Sequence, residues 1–507
     1  MTSLKAPLNA AKDKAGVIEA LGQVFVPSQG FVDGQWTGAK SGKTFDNIAP
    51  RDGTLINQIA AFDASDVDAA VKSARTAFED GRWRFKAPKE KKKILHRLAD
   101  LMTAHAENLA LLETLDTGKP IRDARAVDIP LAIQSARYYA EALDKVYGEV
   151  GPSPESRFSY AVHEPLGVIG AIVPWNFPLH MAMWKVAPAL AMGNSVVLKP
   201  AENSSLTALY TAALAVEAGV PEGVFNVVTG LGTEAGDALA RHMDVDMIAF
   251  TGSGPVGRML MRASADSNLK RVSLELGGKS PQIVFADAPD LEAAAQNAAW
   301  GVFYNQGQVC TAASRLFVEN SIKDDFLNRV IEIAKGIKVG DPYDPETQFG
   351  AMISEKQMQT ALGYIEKGQA EGARLRLGGQ RARADSGGYY VEPSLLDEIA
   401  PDNILAREEV FGPVLSVLGF DNEAEAFRLA NDTIYGLAAG AWTSDLNRAM
   451  RAAKVLRAGL VWINGWDSCD ITLPFGGFKQ SGFGRDRSLH AMYKYADMKS
   501  VSITFQP

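Results

Sequence analysis

Cysteine is nearly absent from this chain: its 507 residues hold two, Cys310 and Cys469. Two thiols cannot build a disulfide framework, which points to a reducing, cytoplasmic setting. Histidine is scarce too, with six residues in no ligand-like pairing and no cysteine cluster beside them, so no protein-held metal is expected. Basic charge is not in excess either. The 52 Lys and Arg face 60 Asp and Glu, and the net charge of -8 offers phosphates no basic field, which excludes nucleic acid as the expected partner. The longest apolar stretch, residues 181–198, is interrupted by Lys185, Pro188, Gly193 and Asn194, so no membrane span is expected. Residues 1–30 lack the apolar centre of a secretory signal, and they carry Asp13 and Glu19, which mitochondrial presequences avoid. Internal repeats and low-complexity linkers are missing as well.

What is present is an ordinary globular composition in a chain too long for one compact core, which implies two or three domains. From Gly167 onward short β-branched runs alternate with helical stretches. Residues 167–173, 194–199, 224–228 and 247–251 read as strands, with helices over 181–192, 206–218, 233–242 and 255–265. This alternation implies a parallel sheet covered on both faces, with ligands at the carboxyl ends of its strands. A second series runs from about Ser273 to Gly484, with strands expected at 282–285, 315–318, 414–420, 437–442 and 460–464. Ahead of both, residues 67–78 and 94–115 have the spacing of amphipathic helices. Two outlying segments, 146–162 and 498–505, alternate as edge strands do, and the need to cover such edges predicts that they pair across an oligomer interface.

Several loops carry chemistry. Cys310 lies in Asn305-Gln306-Gly307-Gln308-Val309-Cys310-Thr311, a small, polar loop whose backbone can approach a ligand, and a thiolate is a strong nucleophile toward carbonyls. Glu275 sits between leucines in Leu274-Glu275-Leu276-Gly277-Gly278, where partial desolvation raises its pKa toward general-base values. Pro174-Trp175-Asn176-Phe177-Pro178 closes a strand, and two prolines fix the backbone around Asn176 as an oxyanion donor requires. Lys199 and Glu202 follow the next strand, where they can bond ribose hydroxyls, and Glu202 would repel a 2′-phosphate. Taken singly, each feature also fits an inert thiol, a capping carboxylate, a proline-bounded turn or a surface ion pair.

Gly252-Ser253-Gly254-Pro255-Val256-Gly257 matches the dinucleotide pattern G-x-G-x-x-G, with Glu275 near the ribose-carboxylate spacing. The match is set aside in that form, because it follows the fourth strand of the series and Glu202 already fills the ribose position. The helix start remains a phosphate site, and Glu275 is free for catalysis.

Together these segments, with Glu408-Glu409-Val410-Phe411-Gly412-Pro413 and Pro474-Phe475-Gly476-Gly477, resemble the aldehyde dehydrogenase superfamily over nearly the whole chain from about Phe31. The resemblance implies an α/β fold with a Rossmann-like NAD-binding domain (1–145 and 167–275), an α/β catalytic domain (276–486) and a small β oligomerisation element (146–166 and 487–507). It implies Cys310 as nucleophile, Asn176 with the Cys310 N–H as oxyanion hole, and Glu275 as the base for deacylation. NAD would be held by Ile172, Val173, Pro174, Trp175, Lys199, Glu202, Gly232, Gly236, Phe250, Gly252, Ser253, Val256 and Leu276, with Glu409 and Phe411 at the nicotinamide end. Asp486 stands where similar enzymes carry Glu. A homodimer or homotetramer is implied, acting on a small aldehyde.

The stretches 470–477 and 484–491 resemble a narrower group that oxidises γ-glutamyl-γ-aminobutyraldehyde and related ω-amino or guanidino aldehydes. By that layout Phe177, Met181, Trp184, Trp466 and Phe475 line an aromatic tunnel, with Cys469 beside it and Asp470, or Asp128, pairing with a distal amine. Trp466-Asp467-Ser468-Cys469 departs from the narrower pattern, which leaves indole or other aromatic acetaldehydes as alternatives. A bridge between Cys469 and Cys310 would be an oxidative off-switch. The rival readings are a catalytically silent homologue, a coenzyme-A-acylating enzyme and an NADP enzyme.

Overall fold

The computed structural model describes residues 4–468 and 470–506. The expectations for Cys469 lie outside the described residues. Two large sheets organise the chain. The first has eight strands in the order Gln35–Thr37, Gly30–Val32, Phe225–Val227, Ser195–Lys199, Val168–Ile172, Met247–Thr251, Arg271–Glu275 and Gly482–Phe483. The five strands from Phe225–Val227 to Arg271–Glu275 are parallel, and the antiparallel neighbours are at the two ends.

The chain begins the parallel series at Val168–Ile172, moves outward through Ser195–Lys199 to Phe225–Val227, then returns to Met247–Thr251 on the other side. The direction therefore reverses between Val168–Ile172 and Met247–Thr251. A crevice opens at such a reversal beyond the carboxyl ends of the strands, and Pro174 and Gly252 lie there, just past Ile172 and Thr251. Near-continuous apolar strands are what a two-sided cover demands: Val196, Val197 and Leu198 have no solvent exposure, and the helix Leu206–Ala218 is buried over most of its length.

The second sheet has seven strands, Arg374–Leu377, Ser394–Asp397, Val414–Phe420, Arg315–Glu319, Pro281–Val284, Ala438–Trp442 and Leu460–Ile463, parallel except for the first pair. The expected strands of both series match the observed ones to within about two residues at either end. The Gly482–Phe483 strand returns from the end of the second series to pair with Arg271–Glu275. That return ties the two sheets together at Glu275.

Two expectations need correction, and a third gains a detail. Residues 94–115 are not one helix but parts of two, Pro88–Ala104 and Ala106–Thr117, broken at His105, whose ψ of 19° leaves the helical range while its Nδ1 bonds the Tyr210 hydroxyl at 2.8 Å. The second of these helices is buried all round, so its apolar positions carry no stripe that would have marked the break. The helix expected over 233–242 opens with a wide turn, Gly232–Gly236, before Asp237–Arg241. The outlying edge segments meet inside the chain, where Ala496–Thr504 runs antiparallel to Arg157–Pro165 with Glu149–Gly151 on its other side, and the two outer strands of this sheet have no further neighbour among the described residues. Among the described residues no helix is long and apolar enough to cross a membrane, and no group of three or more His, Cys, Asp or Glu could hold a metal.

Candidate active site

A cavity of about 340 Å³ opens where the two sheets meet. Its walls include Pro174, Trp175 and Asn176, then Gly252 and Ser253, Glu275 and Leu276, Cys310, Glu409 and Phe411, and Met181, Trp184 and Phe475. Residues from three expected groups, catalytic, cofactor and substrate, thus face one space. Thr251, Gly277, Gln357, Thr360, Tyr364 and Val410 also line it. Gln357 and Tyr364 come from the helix Glu355–Ala370, far from any recognised motif, so nothing in their local sequence marks them.

Asn176 is fixed from three directions. Its Nδ2 donates to the Gln308 carbonyl at 2.9 Å, and its own carbonyl accepts from Lys119 Nζ and from Asn305 Nδ2, both at 3.0 Å. This places the side chain amide directly against the Cys310 loop. The loop itself is wound tightly: Asn305, Gln306 and Gly307 have φ of 48°, 55° and 72° in succession. A Cβ on Gly307 would come within 2.1 Å of the Gly412 carbonyl, so glycine is required there. Burial pushes the Cys310 thiol up to about 12, and the charges of Glu409, Asp467 and Glu275 add to the shift.

Glu275 is buried, and among the described residues neither carboxylate oxygen has a hydrogen-bond partner. Its pKa is raised well above the usual carboxylate range, chiefly by burial and then by the charge of Asp486, against the opposing pull of Lys185, Lys494 and Arg485. Asp486 is itself buried and accepts hydrogen bonds from Lys185 and Lys494, one on each oxygen. Its shorter side chain is thus matched by two lysines.

Glu409 accepts a hydrogen bond from Gly278 N at 3.0 Å, and burial raises its carboxyl to about 7. A Cβ on Gly277 would sit 1.9 Å from Glu409 Oε2, which explains why glycine stands there. Phe411 meets Trp175 edge to face at 5.2 Å.

Other expected residues lie around the cavity rather than in its wall. Lys199 is buried at the end of its strand, with Nζ 3.3 Å from the half-exposed Glu202. Glu202 faces a separate space of about 270 Å³ with Asn203 and Lys356. Gly236 packs on the Lys199 side chain, while Gly232 and Val256 are exposed nearby. Phe250 is buried, Ile172 is half-buried, and Val173 N donates to the Lys199 carbonyl at 3.2 Å. Phe177 stacks with Tyr304, and Lys119 Nζ lies 4.1 Å from its ring centre. Trp466 packs on Trp462 at 4.9 Å. Asp470 is exposed and accepts from Thr472 N at 2.9 Å. Asp128 is not at any tunnel mouth: it is fully buried and paired with Lys119, so it cannot meet a distal amine.

The arrangement fits a dinucleotide. The buried Lys199 ammonium has one carboxylate partner, at 3.3 Å, and protons to spare for hydroxyls, and the helix Gly254–Ala265 points its N-terminus at the crevice beside Gly252 and Ser253. A thiol, a carboxyl and a fixed amide thus share one cavity beside a crevice of an α/β fold.

The comparisons with known proteins agree. The family model described as "Aldehyde dehydrogenase family" matches residues 36–501, and the chain belongs to that family. It is 49% identical to the NADP/NAD-dependent aldehyde dehydrogenase PuuC of Escherichia coli K12, covering 94% of this chain and 95% of that protein. A solved indole-3-acetaldehyde dehydrogenase, complexed with NAD+, superposes with a TM-score of 0.96 at 52% identity, covering 98% of this chain and all of that one. A γ-glutamyl-γ-aminobutyraldehyde dehydrogenase from Burkholderia cenocepacia gives 0.95 at 50% identity, covering 97% and 100%.

Proposed function

We propose that this protein oxidises an aldehyde to the carboxylic acid with NAD and water, through a thioester on Cys310, and that its substrate is an ω-amino or γ-glutamylamino aldehyde. The observation that carries the reading is the shared cavity, whose wall includes Cys310, Asn176 and Glu275 together with Gly252 and Ser253 at the start of a helix. NAD would be held by Lys199 and Glu202 at the ribose, by Ser253 and the helix behind it at the pyrophosphate, and by Glu409 and Phe411 at the nicotinamide, and would supply the hydride acceptor.

Cys310 attacks the carbonyl once its proton has left. Burial raises the proton affinity of the thiol, so loss of that proton is part of the attack step. The developing oxyanion is held by the Cys310 N–H and by Asn176 Nδ2, each contributing about 3 kcal/mol by comparison with other oxyanion holes. Glu275 then takes a proton from the water that hydrolyses the thioester. The acid product rather than a coenzyme A ester follows from that carboxyl. Glu202 disfavours a 2′-phosphate, which favours NAD over NADP.

An aromatic acetaldehyde is the second reading, favoured by the Trp184 and Phe475 rings, 4.8 Å apart in the cavity wall. A homo-oligomer in the cytoplasm is the setting we infer. Glu275→Gln tests the chemistry: it is expected to give a burst of NADH and then a stalled acyl-enzyme visible by intact mass. Loss of the burst itself would remove Glu275 from a purely deacylating role.

A further inference from the structure

We infer that Glu113 is a positioning residue for the oxyanion site: a proton that it shares with Asp128 keeps the Lys119 ammonium on the Asn176 carbonyl. This rests on the proposed aldehyde chemistry at Cys310 and adds to it a group outside the cavity wall.

Glu113 stands on the helix Ala106–Thr117 without solvent exposure, and among the described residues neither of its oxygens has a hydrogen-bond partner. A buried carboxylate left in that state is costly, so a proton or a donor must meet it. Asp128 supplies the place for a proton. It too is without solvent exposure, with Oδ1 taken by Lys119 and Oδ2 unpartnered among the described residues, and the Glu113 carboxyl lies within hydrogen-bonding range of it. Two ionised carboxylates can only accept, whereas one proton on Glu113 turns the contact into a hydrogen bond to Asp128. Burial and the charge of Asp128 raise the Glu113 carboxyl to about 8, so that proton is in place at neutral pH.

Lys119 connects this pair to the site. Its three ammonium protons have three acceptors: Asp128, the Asn176 carbonyl at 3.0 Å, and the face of Phe177, whose ring centre is 4.1 Å away. With Glu113 neutral, the lysine has one carboxylate of this pair to balance. Ionisation sets a second negative charge beside it, which it can meet only by giving up the Asn176 carbonyl or the ring. The Thr207 hydroxyl and the Leu179 N–H also favour ionised Glu113, and Leu179 lies in the first turn of the helix Pro178–Ala191, which starts two residues after Asn176. Both responses pull on the turn that carries Asn176 and leave Asn305 as the holder of its carbonyl. The other titratable groups nearby, Asp123 and the buried His180, feel the charge of Lys119, whereas the charges acting most on Glu113 are Asp128 and Lys119. The helices Lys14–Gln23, Pro88–Ala104 and Ile129–Ala142, which also pack on Ala106–Thr117, bring none of the charges that act most on it.

The test measures the single-turnover rate of NADH formation from hexanal, with enzyme in excess over aldehyde, at pH 6.5 and pH 9.5. Glu113→Gln keeps the shape and a donor but cannot ionise. The ratio of its rate to the native rate is expected to be near one at pH 6.5 and to rise to about tenfold at pH 9.5, the effect of one charge-assisted hydrogen bond on the oxyanion amide. Cys310 and Glu275 titrate in both enzymes, so the ratio isolates Glu113. A ratio that is the same at both pH values overturns the inference, because a merely structural role acts equally at both. Thr207→Val is read beside it, and alone if Glu113→Gln does not fold. Loss of a hydroxyl that favours the ionised form should move ionisation to higher pH, so its ratio to the native rate should also rise between the two pH values, and no rise overturns the inference. Native enzyme that forms no NADH from hexanal or from an ω-amino aldehyde sinks the aldehyde reading as well. NADH formation with flat ratios sinks the role of Glu113 alone.

Discussion

Lys119 reaches the backbone carbonyl of Asn176 at 3.0 Å from a position almost without solvent contact, while its ammonium is paired with Asp128. The amide expected to hold the oxyanion is thus positioned by a buried ion pair some fifty residues upstream. Breaking such a pair by removing one partner leaves a buried charge and costs about 3–5 kcal/mol, whereas replacing both by apolar groups of similar volume is often neutral. Lys119→Met should therefore unfold at markedly lower urea, and the double change Lys119→Met with Asp128→Leu should recover most of that loss. Both should slow the NADH burst, because neither restores the bond to Asn176. A double variant with a native burst rate would show that Asn305 alone fixes the amide.

The raised pKa of Glu275 sets the pH dependence of two properties in opposite senses. As a base the carboxyl must be ionised, so the thioester-hydrolysis rate should climb with pH through the range where Glu275 loses its proton, well above that of an ordinary glutamate. Stability runs the other way. A carboxyl whose folded pKa lies above its unfolded one binds its proton more tightly in the folded state, so its favourable contribution is present below the unfolded value near 4.5 and is lost as pH rises. Glu275→Gln should accordingly gain thermal stability over the native enzyme at pH 9 and gain less at pH 5. Equal Tm differences at the two pH values would contradict a buried, proton-holding carboxyl.

Asp486 makes this proton tunable. It is the largest charged neighbour raising the Glu275 pKa, and it holds Lys185 and Lys494 at the same time. Asp486→Asn removes a like charge and frees two cations, and both changes favour ionised Glu275. The acid limb of the hydrolysis step should move to lower pH, with a stability loss of about 3–5 kcal/mol from the unpaired lysines. A pH–rate profile that does not shift would mean that the two lysines discharge when Asp486 is lost.

The strand series and the motif loops were legible because they follow local rules. Alternating apolar runs fixed the sheets, and Gly277, Gly307 and the prolines around Asn176 sit where a backbone must turn or be approached closely. The parts that were not legible depend on distant partners. Lys119 and Asn305 become holders of Asn176 only through the way the chain is wound, and Gln357 and Tyr364 enter the cavity from a helix with no motif of its own. Asp128 shows the converse error: a carboxylate expected to pair with a distal amine is buried against a lysine nine positions away. The edge strands carried the right alternation, but such a pattern does not say which strand is the neighbour, since it fits a strand of the same chain as well as one of another copy.

Cofactor choice offers the last test. Glu202 lies 3.3 Å from the buried Lys199 and is otherwise half in solvent, on the edge of a space that also holds Lys356. A carboxylate in that place would meet the 2′-phosphate of NADP with like charge, and its removal leaves Lys199 without that partner while Asp46, Glu355 and Lys356 still line the space. Glu202→Gln should therefore lower KM for NADP by about tenfold, roughly the 1.4 kcal/mol of one weakened like-charge contact. For NAD the change should act in the other direction and by less, because a glutamine amide still offers an oxygen to one hydroxyl but accepts its hydrogen bond without charge assistance. Salt provides an independent reading: the NADP penalty in the native enzyme should shrink as ionic strength rises, since the carboxylate is partly exposed and its field is screened. If the preference between the two cofactors is the same in Glu202→Gln as in the native enzyme at low salt, then charge at residue 202 does not decide it, and the shape of the ribose pocket around Lys199 does.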